Sequence, residues 1–342
     1  MKKNVTRLLA ATTAATLLVT ACGSDDDGAG EVTELEDGSS SGSASGSGSG
    51  SASGSGSGSS SGSASGSASS SGSSSQSGSA TGISEEELVQ ETDNELIQDA
   101  VDGYRAYVQE QIAAMQAETA VFADFIRAGD IEGAKGHYQI SRRPWERIEP
   151  IAGLIEDIDG AVDARADDGI EPTDPDFTGW HRLEYHLWLL EDVSEAGPYA
   201  DQLEADLATL AGEAASLELP PGVLTVGAQE LIEEVAAPDG KLSGEEERYS
   251  ETDLFAFQAN VEGSEALVDL LRPALEEADA ELLASIDGLF DELYGQLFAL
   301  GNFDDGYPPY SEVTDEQRNE FAATLGELAE QLSLLNGTLG LE

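Results

Sequence analysis

The sequence predicts an all-α fold, two packed four-helix-bundle-like lobes with a cleft between them. Three observations predict it. From Ile83 to Glu342 apolar residues recur at helical spacing, and runs of alternating β-branched residues are few. Proline and glycine clusters then cut the pattern into helix-length pieces. The first helix covers about 85–128, where Leu88, Ile97, Val101, Tyr104, Val108, Ile112 and Met115 keep one face, and Ala128-Gly129-Asp130 ends it. A second helix follows at about 131–148 and a third at about 149–160. Asp176-Phe177-Thr178-Gly179 introduces the next, with Asp176 or Thr178 as its cap. Further helices are expected near 197–217, 222–237, 250–271, 273–300 and 314–336. Pro220-Pro221, Pro238-Asp239-Gly240 and Tyr307-Pro308-Pro309 mark loops. The break between the lobes falls near 195–220, giving lobes of about 83–200 and 201–342.

Two segments precede this domain. Residues 1–21 read as a lipoprotein signal peptide: Lys2, Lys3 and Arg7 form a positive start, and Leu8 to Val19 is apolar but too short for a permanent span. Val19-Thr20-Ala21-Cys22 resembles a bacterial lipobox, so Cys22 is the expected lipidation site. It is the single cysteine, which excludes an intramolecular disulfide. Residues 22–82 read as a disordered tether, acidic at 25–37 and almost entirely Ser, Gly and Ala at 39–82. A flexible tether of about 45 residues spans roughly 37 Å, taking about 5.5 Å times the square root of length. The expected location is therefore outside the cytoplasm, periplasm or cell surface, held to the membrane by a lipid anchor only.

The formal charge is −53, and removing Lys2, Lys3 and Arg7 takes it to −56. Such a surface repels nucleic acid and anionic lipid. Adaptation to high salt explains it better than an acidic docking function, because dense carboxylates stay hydrated and screening weakens their repulsion. Among 68 acidic residues a carboxylate is uninformative by itself, whereas histidine, present three times, is not.

His181 and Glu184 stand three apart in Gly179-Trp180-His181-Arg182-Leu183-Glu184, a spacing that places both on one helix face. Trp180, Leu183, Leu187 and Leu190 form the adjoining apolar stripe, so the pair sits at a core edge or a cleft. The spacing fits a metal-binding pair and a histidine hydrogen-bonded to its glutamate equally well. His186 lies well round the helix and reads as structural or exposed. No His-Glu-x-x-His sequence occurs, which disfavours a thermolysin-like zinc peptidase. Five of the ten arginines beyond the leader (Arg142, Arg143, Arg147, Arg165 and Arg182) fall between 142 and 182. They suit carboxylate bridging, or the orientation of carboxylate ligands around a metal. Glu149 is the favoured partner ligand; an ion pair with Arg142 or Arg143 explains it equally. Asp157, Asp159 and Asp163 hint at calcium, but the glycine spacing and final glutamate of an EF-hand loop are missing. Glu245, Glu246 and Glu247 read as a solvated helix start, while Asn260 and Glu262 are better placed to face a cleft.

These blocks resemble the imelysin-like family, and within it the EfeO/EfeM-type periplasmic iron-uptake lipoproteins. The resemblance rests on Arg142 to Pro150, Asp159 to Arg165, Thr178 to Glu184, Gly244 to Asp253 and Ala259-Asn260-Val261-Glu262-Gly263, in the family's order over nearly all of 90–335. It implies a helical domain with metal held by His181 and Glu184, and by Glu149. It implies Arg142, Arg143, Asp159, Asp163, Asn260 and Glu262 as supporting or cleft residues. It also implies iron, Fe3+ or Fe2+, as bound cargo for a membrane iron permease, with a haem peroxidase as a third component. EfeO-type members carry a cupredoxin-like domain before the helical one. Here that place is taken by lipobox and tether, with no copper-binding set of Cys, His and Met, so the expectation is the shorter EfeM-like form.

The function expected is capture and delivery of iron without catalysis. Zinc or another divalent cation would also suit an oxygen-rich site with one imidazole. The alternative is a zinc metallopeptidase using the His-x-x-Glu pair. A third reading, polysaccharide binding, would use Trp145, Trp180 and Trp188 as cleft aromatics.

Overall fold

The computed structural model describes residues 92–166, 171–237 and 240–341. Cys22, the leader and the tether lie outside them. α1 (Glu95–Ala128) starts where the Asn94 side chain accepts from the Leu96 amide and ends on Gly129 in a left-handed conformation. α2 (Ile131–Glu146) follows after one turn. The expected third helix is instead a 3-10 turn (Glu149–Leu154) and a short α3 (Glu156–Val162). Pro150, which has no amide proton to donate, sits in the first turn of that 3-10 segment. α4 (Gly179–Glu184) passes into a π turn over Tyr185–Leu189. α5 (Gly197–Ala214) and α6 (Pro221–Ala236) come next.

α7 (Asp253–Ala278) runs straight through Pro273, and α8 (Ala280–Leu300) begins only after Asp279. The expected break at 271–273 thus moves to Asp279, whose carboxylate accepts from the Glu281 and Leu282 amides at 3.0 Å each. Cap chemistry sets this boundary, not proline. α9 (Asp315–Leu332) opens with a Thr314–Gln317 capping box, and α10 (Leu335–Leu339) closes the domain.

Among the described residues no strand forms, and the one bridge pairs Asn302 with Gly306 across a loop. No described helix is long and apolar enough to cross a membrane. One continuous apolar core joins both predicted halves. α1 packs on α2, α5 and α7, while α7 also packs on α2, α6 and α8. α2 and α7 therefore meet where the charged residues of both gather.

The apolar stripe expected along the His-x-x-Glu helix is cut short. Trp180, Leu183 and Leu187 are buried, but Leu190 is exposed. The π turn inserts extra backbone per turn and rotates the residues beyond it off the α-helical register. Glu191 then leaves the helix with φ of 49°.

Candidate metal centre

The centre begins with α2. Gln139, Arg142 and Glu146 lie on one face, and Arg142 and Glu146, four apart, form a fully buried ion pair. Arg142 reaches outward from there to three other segments. Nη1 bonds Asp163 at the end of α3 and lies 3.3 Å from His181 Nε2 on α4. Nη2 donates to Glu246 Oε1 at 3.1 Å. Nε stands 2.9 Å from Glu247 Oε1, an ion-pair contact that lacks hydrogen-bond alignment.

α4 places the motif residues. Gly179 opens it at φ of 75°, and a side-chain carbon there would come within 2.0 Å of the Val162 carbonyl oxygen. Only glycine lets α4 approach α3 this closely. Thr178 precedes the helix as expected, but its hydroxyl donates to the Ala161 carbonyl and not to the helix start. His181 and Glu184 are both buried, with Nδ1 3.2 Å from Glu184 Oε2. Glu184 Oε1 accepts from the Tyr249 and Ser250 amides at 3.0 and 2.7 Å. Oε2, the oxygen facing the imidazole, is free of those bonds.

The amides that hold Glu184 come from an irregular turn, and here the sequence expectation fails. Glu246 and Glu247 are buried, not solvated, and no helix starts there. Because residues 244–252 are not helical, their backbone groups remain available to side chains. The Glu247 amide donates to Asp253, and the Tyr310 hydroxyl donates to the Leu242 carbonyl beside the turn. Glu246 receives Arg142, Arg165 and Lys241. Glu247 receives Gln139 Nε2 at 2.9 Å.

Lys241 is almost wholly buried. Its ammonium lies 3.0 Å from Glu246 and 3.4 Å from both Glu146 and Glu149. Glu149 thus pairs with Lys241 rather than with Arg142 or Arg143, and it also accepts from Asn260 at 2.5 Å. Asn260 bonds Glu146 as well, so it ties α7 to α2. Asp159 is half-buried on α3 in the same acidic region. Burial, and then the charge of Asp163, push its carboxyl up to about 7.

Arg143 and Glu262 are the expected residues that the fold does not bring here. Glu262 bonds Arg143, Arg147 and Gln258 on the other side of α2, in a separate ion-pair group. Adjacency in sequence hides the helix geometry: Arg142 and Arg143 project about 100° apart. His186 is buried and faces the Asp192 carbonyl at 3.1 Å. Trp145 and Trp180 are fully buried, which removes two of the three aromatics from the polysaccharide reading. Trp145 Nε1 instead donates to Asp163 at 3.0 Å.

Electrostatically the centre holds more negative than positive charge. Glu146, Glu149, Asp163, Glu184, Glu246 and Glu247 surround two buried fixed cations, Arg142 and Lys241. The protein manages the excess by holding protons. Burial pushes Glu247 up to about 8, against the opposing pull of Arg142. Burial likewise holds Glu149 well above the usual carboxylate range. His181 is pulled down by burial and by Arg142, but its bond to Glu184 and the charges of Asp163 and Glu247 win and raise it.

Two sets of groups bring ligand atoms within 4.8 Å of one another: Asp163, His181 and Glu246, and His181, Glu184 and Glu247. They share the imidazole. On the Nε2 side a cation already stands, because the Arg142 guanidinium contacts Asp163, Glu246 and Nε2 itself. The Nδ1 side faces Glu184 Oε2 at 3.2 Å, and Glu247, the third group of that set, meets Arg142 only through Nε at 2.9 Å. A metal there would put the ring proton on Nε2, facing Asp163 at 3.5 Å, and the 3.3 Å contact with Arg142 Nη1, in which arginine can only donate, would have to open. That carboxylate would fix the tautomer and ring orientation, as carboxylates behind metal-bound histidines generally do.

The family model for imelysin matches residues 100–335, which contain every residue of this centre. The chain belongs to the imelysin family. Among curated relatives it is 46% identical over 244 residues to the iron uptake system component EfeO of Escherichia coli O157:H7, of Escherichia coli strain K12 and of Shigella flexneri. The alignments cover 71% of this chain and 64% of each relative, so the chain spans less than two thirds of their length.

Within the imelysin domain, sequence reasoning named His181, Glu184, Glu149, Arg142, Asp163 and Asn260 as neighbours, and the fold brings them together. It missed Glu146, Lys241, Glu246 and Glu247. One signal was present for Lys241: in a chain nearly stripped of lysine, a retained one has a reason to stay. Nothing in the run Glu245-Glu246-Glu247 separates the exposed first residue from the two buried ones.

Proposed function

We propose that this chain captures an iron ion outside the cytoplasm, at the Nδ1 side of His181, and hands it to a membrane permease. The observation that carries the reading is the buried excess of carboxylates around a single imidazole, because a folded interior tolerates uncompensated negative charge only when a cation or protons balance it. His181, Glu184 and Glu247 hold the ion; Asp163 orients the imidazole; Arg142, Lys241 and Asn260 keep the remaining carboxylates in place. Iron is favoured as cargo by the name of the EfeO relatives. The donor set, one imidazole and several oxygens, suits iron and also accepts zinc or manganese. Cys22 anchors the protein by a lipid, a permease receives the iron, and a haem peroxidase works alongside them.

Capture requires the carboxyls to give up protons, and release follows when they regain them or when docking distorts the site. Burial of His181 and Glu184 supports an enclosed ion over a zinc peptidase, whose metal must meet a peptide and a water. The test is calorimetric titration of ferrous iron, ferric citrate and zinc into the full chain, His181→Ala and Glu184→Ala, with peptide hydrolysis assayed on the same samples. Both variants are expected to lose binding, with no hydrolysis in any sample. Wild-type-like iron binding by His181→Ala sinks the site, and zinc-dependent hydrolysis lost in both variants would establish the peptidase instead.

A further inference from the structure

His181, Glu184 and Glu247 are all buried, so an ion reaches them only if something moves. His181 and Glu184 sit on α4, whose start is locked against α3 by the close approach at Gly179. Glu247 rides on the non-helical segment 244–252, a strap that touches α2 through Gln139 and Arg142 and α4 through Glu184. Side chains beyond the strap hold its amides: Asp253 takes that of Glu247 at 3.2 Å, and Glu184 takes those of Tyr249 and Ser250. Both ends are clasped by one residue. The Tyr310 hydroxyl donates to the Leu242 carbonyl at 2.6 Å, and the Tyr310 amide donates to the Glu251 carbonyl at 2.9 Å. Both ends also have left-handed backbone. Gly244 stands at φ of 77°, where a side-chain carbon would come within 2.6 Å of the Tyr310 ring, and Glu251 stands at φ of 57°. Glycine adopts that conformation freely and glutamate does not. Such a residue persists only where its surroundings hold it, and the Ser311 hydroxyl, which donates to the Glu251 carboxylate, joins Tyr310 in doing so.

We propose that residues 244–252 are the gate of the metal centre: the strap swings out on Gly244 and Glu251 to admit the ion, and the ion, joining Glu184 on α4 to Glu247 on the strap, holds it shut. This deepens the metal-binding reading above and rests on it. The coupling is electrostatic. Closed and empty, the strap adds Glu246 and Glu247 to a cluster already richer in carboxylates than in fixed cations, and like charges at close range favour opening. An ion can touch Glu184 and Glu247 together only when the strap is closed. That differential contact is what lets a ligand shift a conformational equilibrium. Opening takes away the two amides on Glu184 Oε1 and draws Glu247 off Arg142 Nε, so a ligand and its cover leave in one motion while the helices stay packed. Glu191 is an internal comparison. It is also left-handed, at φ of 49°, but it is exposed beyond the π turn.

The experiment follows hydrogen exchange of the strap amides in the full chain by mass spectrometry, and release of bound ferrous iron or zinc into a chromogenic chelator by stopped flow. In metal-free wild type the amides of 245–252 are expected to exchange through a local opening, faster than those of α2 and α7, and to slow when either ion is added. Tyr310→Phe removes the clasp on Leu242 and is expected to speed strap exchange and ion release by about fivefold, the effect of roughly one hydrogen bond. Glu251→Gly is expected to release the ion about fivefold more slowly than Glu251→Ala, which loses the same side chain but keeps the left-handed strain. Two controls repeat the chemistry elsewhere. Glu191→Gly relieves the other left-handed glutamate, and Thr225→Val removes a buried hydroxyl bonded to Asn336 on α10. Both leave strap exchange and release as in wild type. Strap amides that exchange only by global unfolding, or release from Tyr310→Phe at the wild-type rate, overturn the gate and leave the His181 site standing. If wild type binds neither ion, the metal-binding reading falls and the gate falls with it.

Discussion

α2 carries two charged clusters, and they differ in one respect. On one face Arg142 is buried among Glu146, Asp163, Glu246 and Glu247. On another, Arg143 and Arg147 both bond the single carboxylate Glu262, all three partly exposed. The residue types are the same, but the first cluster draws its carboxylates from α2, the end of α3 and the 244–252 turn, and the second from α7. In the second cluster positive charge is in excess and water is near, so it can only clip α2 to α7. In the first, negative charge is in excess and water is excluded. Gly263 makes the clip close: a side-chain carbon there would lie 2.3 Å from the Arg147 carbonyl oxygen.

The largest test of this contrast is removal of the arginines. Arg142→Met strands several buried carboxylates and is expected to destabilise the metal-free protein by about 3–5 kcal/mol, read by chemical denaturation. Arg143→Met should cost about 1 kcal/mol or less, as partly exposed pairs do. Equal losses would erase the distinction. Next comes binding. His181→Ala should weaken iron binding by about 100-fold or more, beyond what loss of a merely supporting group causes, while Glu262→Gln should leave the titration unchanged.

A third test uses pH, where the clusters should respond with opposite sign. Glu247, raised from 4.5 to about 8, binds its proton more tightly folded than unfolded. Its contribution to stability is complete below about 4.5 and is lost as pH rises through about 8. Over the same interval metal binding should strengthen and release a proton, measurable as a buffer-dependent heat of binding. Glu247→Gln removes that proton release. Glu262 is held below its usual value by Arg143 and Arg147 against the opposing effect of burial. Its contribution is present above the ordinary carboxylate range and disappears as pH falls through its folded value, with no effect on metal binding. The smallest effect expected is on rate. Raising salt toward 1 M shrinks the screening length to about 3 Å, so the −53 chain should gather cations more slowly by stopped-flow, with the buried site itself little changed. A large loss of equilibrium affinity in salt would mean that the surface, not the buried cluster, binds the metal.

The site was legible in sequence where a residue was scarce or a motif local. His181 stood out because histidine is rare, and Glu184 because it lies three residues away. Arg142 and Asp163 were legible as part of dense charged blocks, although the sequence could not separate Arg142 from Arg143. Glu246 and Glu247 were read as solvated because adjacent glutamates usually are. Their burial depends on a non-helical turn pinned by Asp253 and Tyr310, which lie on other segments.

The sequence alone determined the helical class, most helix positions, the acidic character and the His181–Glu184 pair. These follow from local periodicity, composition and i, i+3 spacing, which need no knowledge of distant residues. Only the tertiary structure decided which carboxylates are buried, which cation each one meets and which side of His181 is already filled. Burial and charge pairing are set by segments separated by about a hundred residues, as when Arg142 meets Glu246. Low dielectric then makes those meetings count far more than they would in water, and no local pattern carries that information.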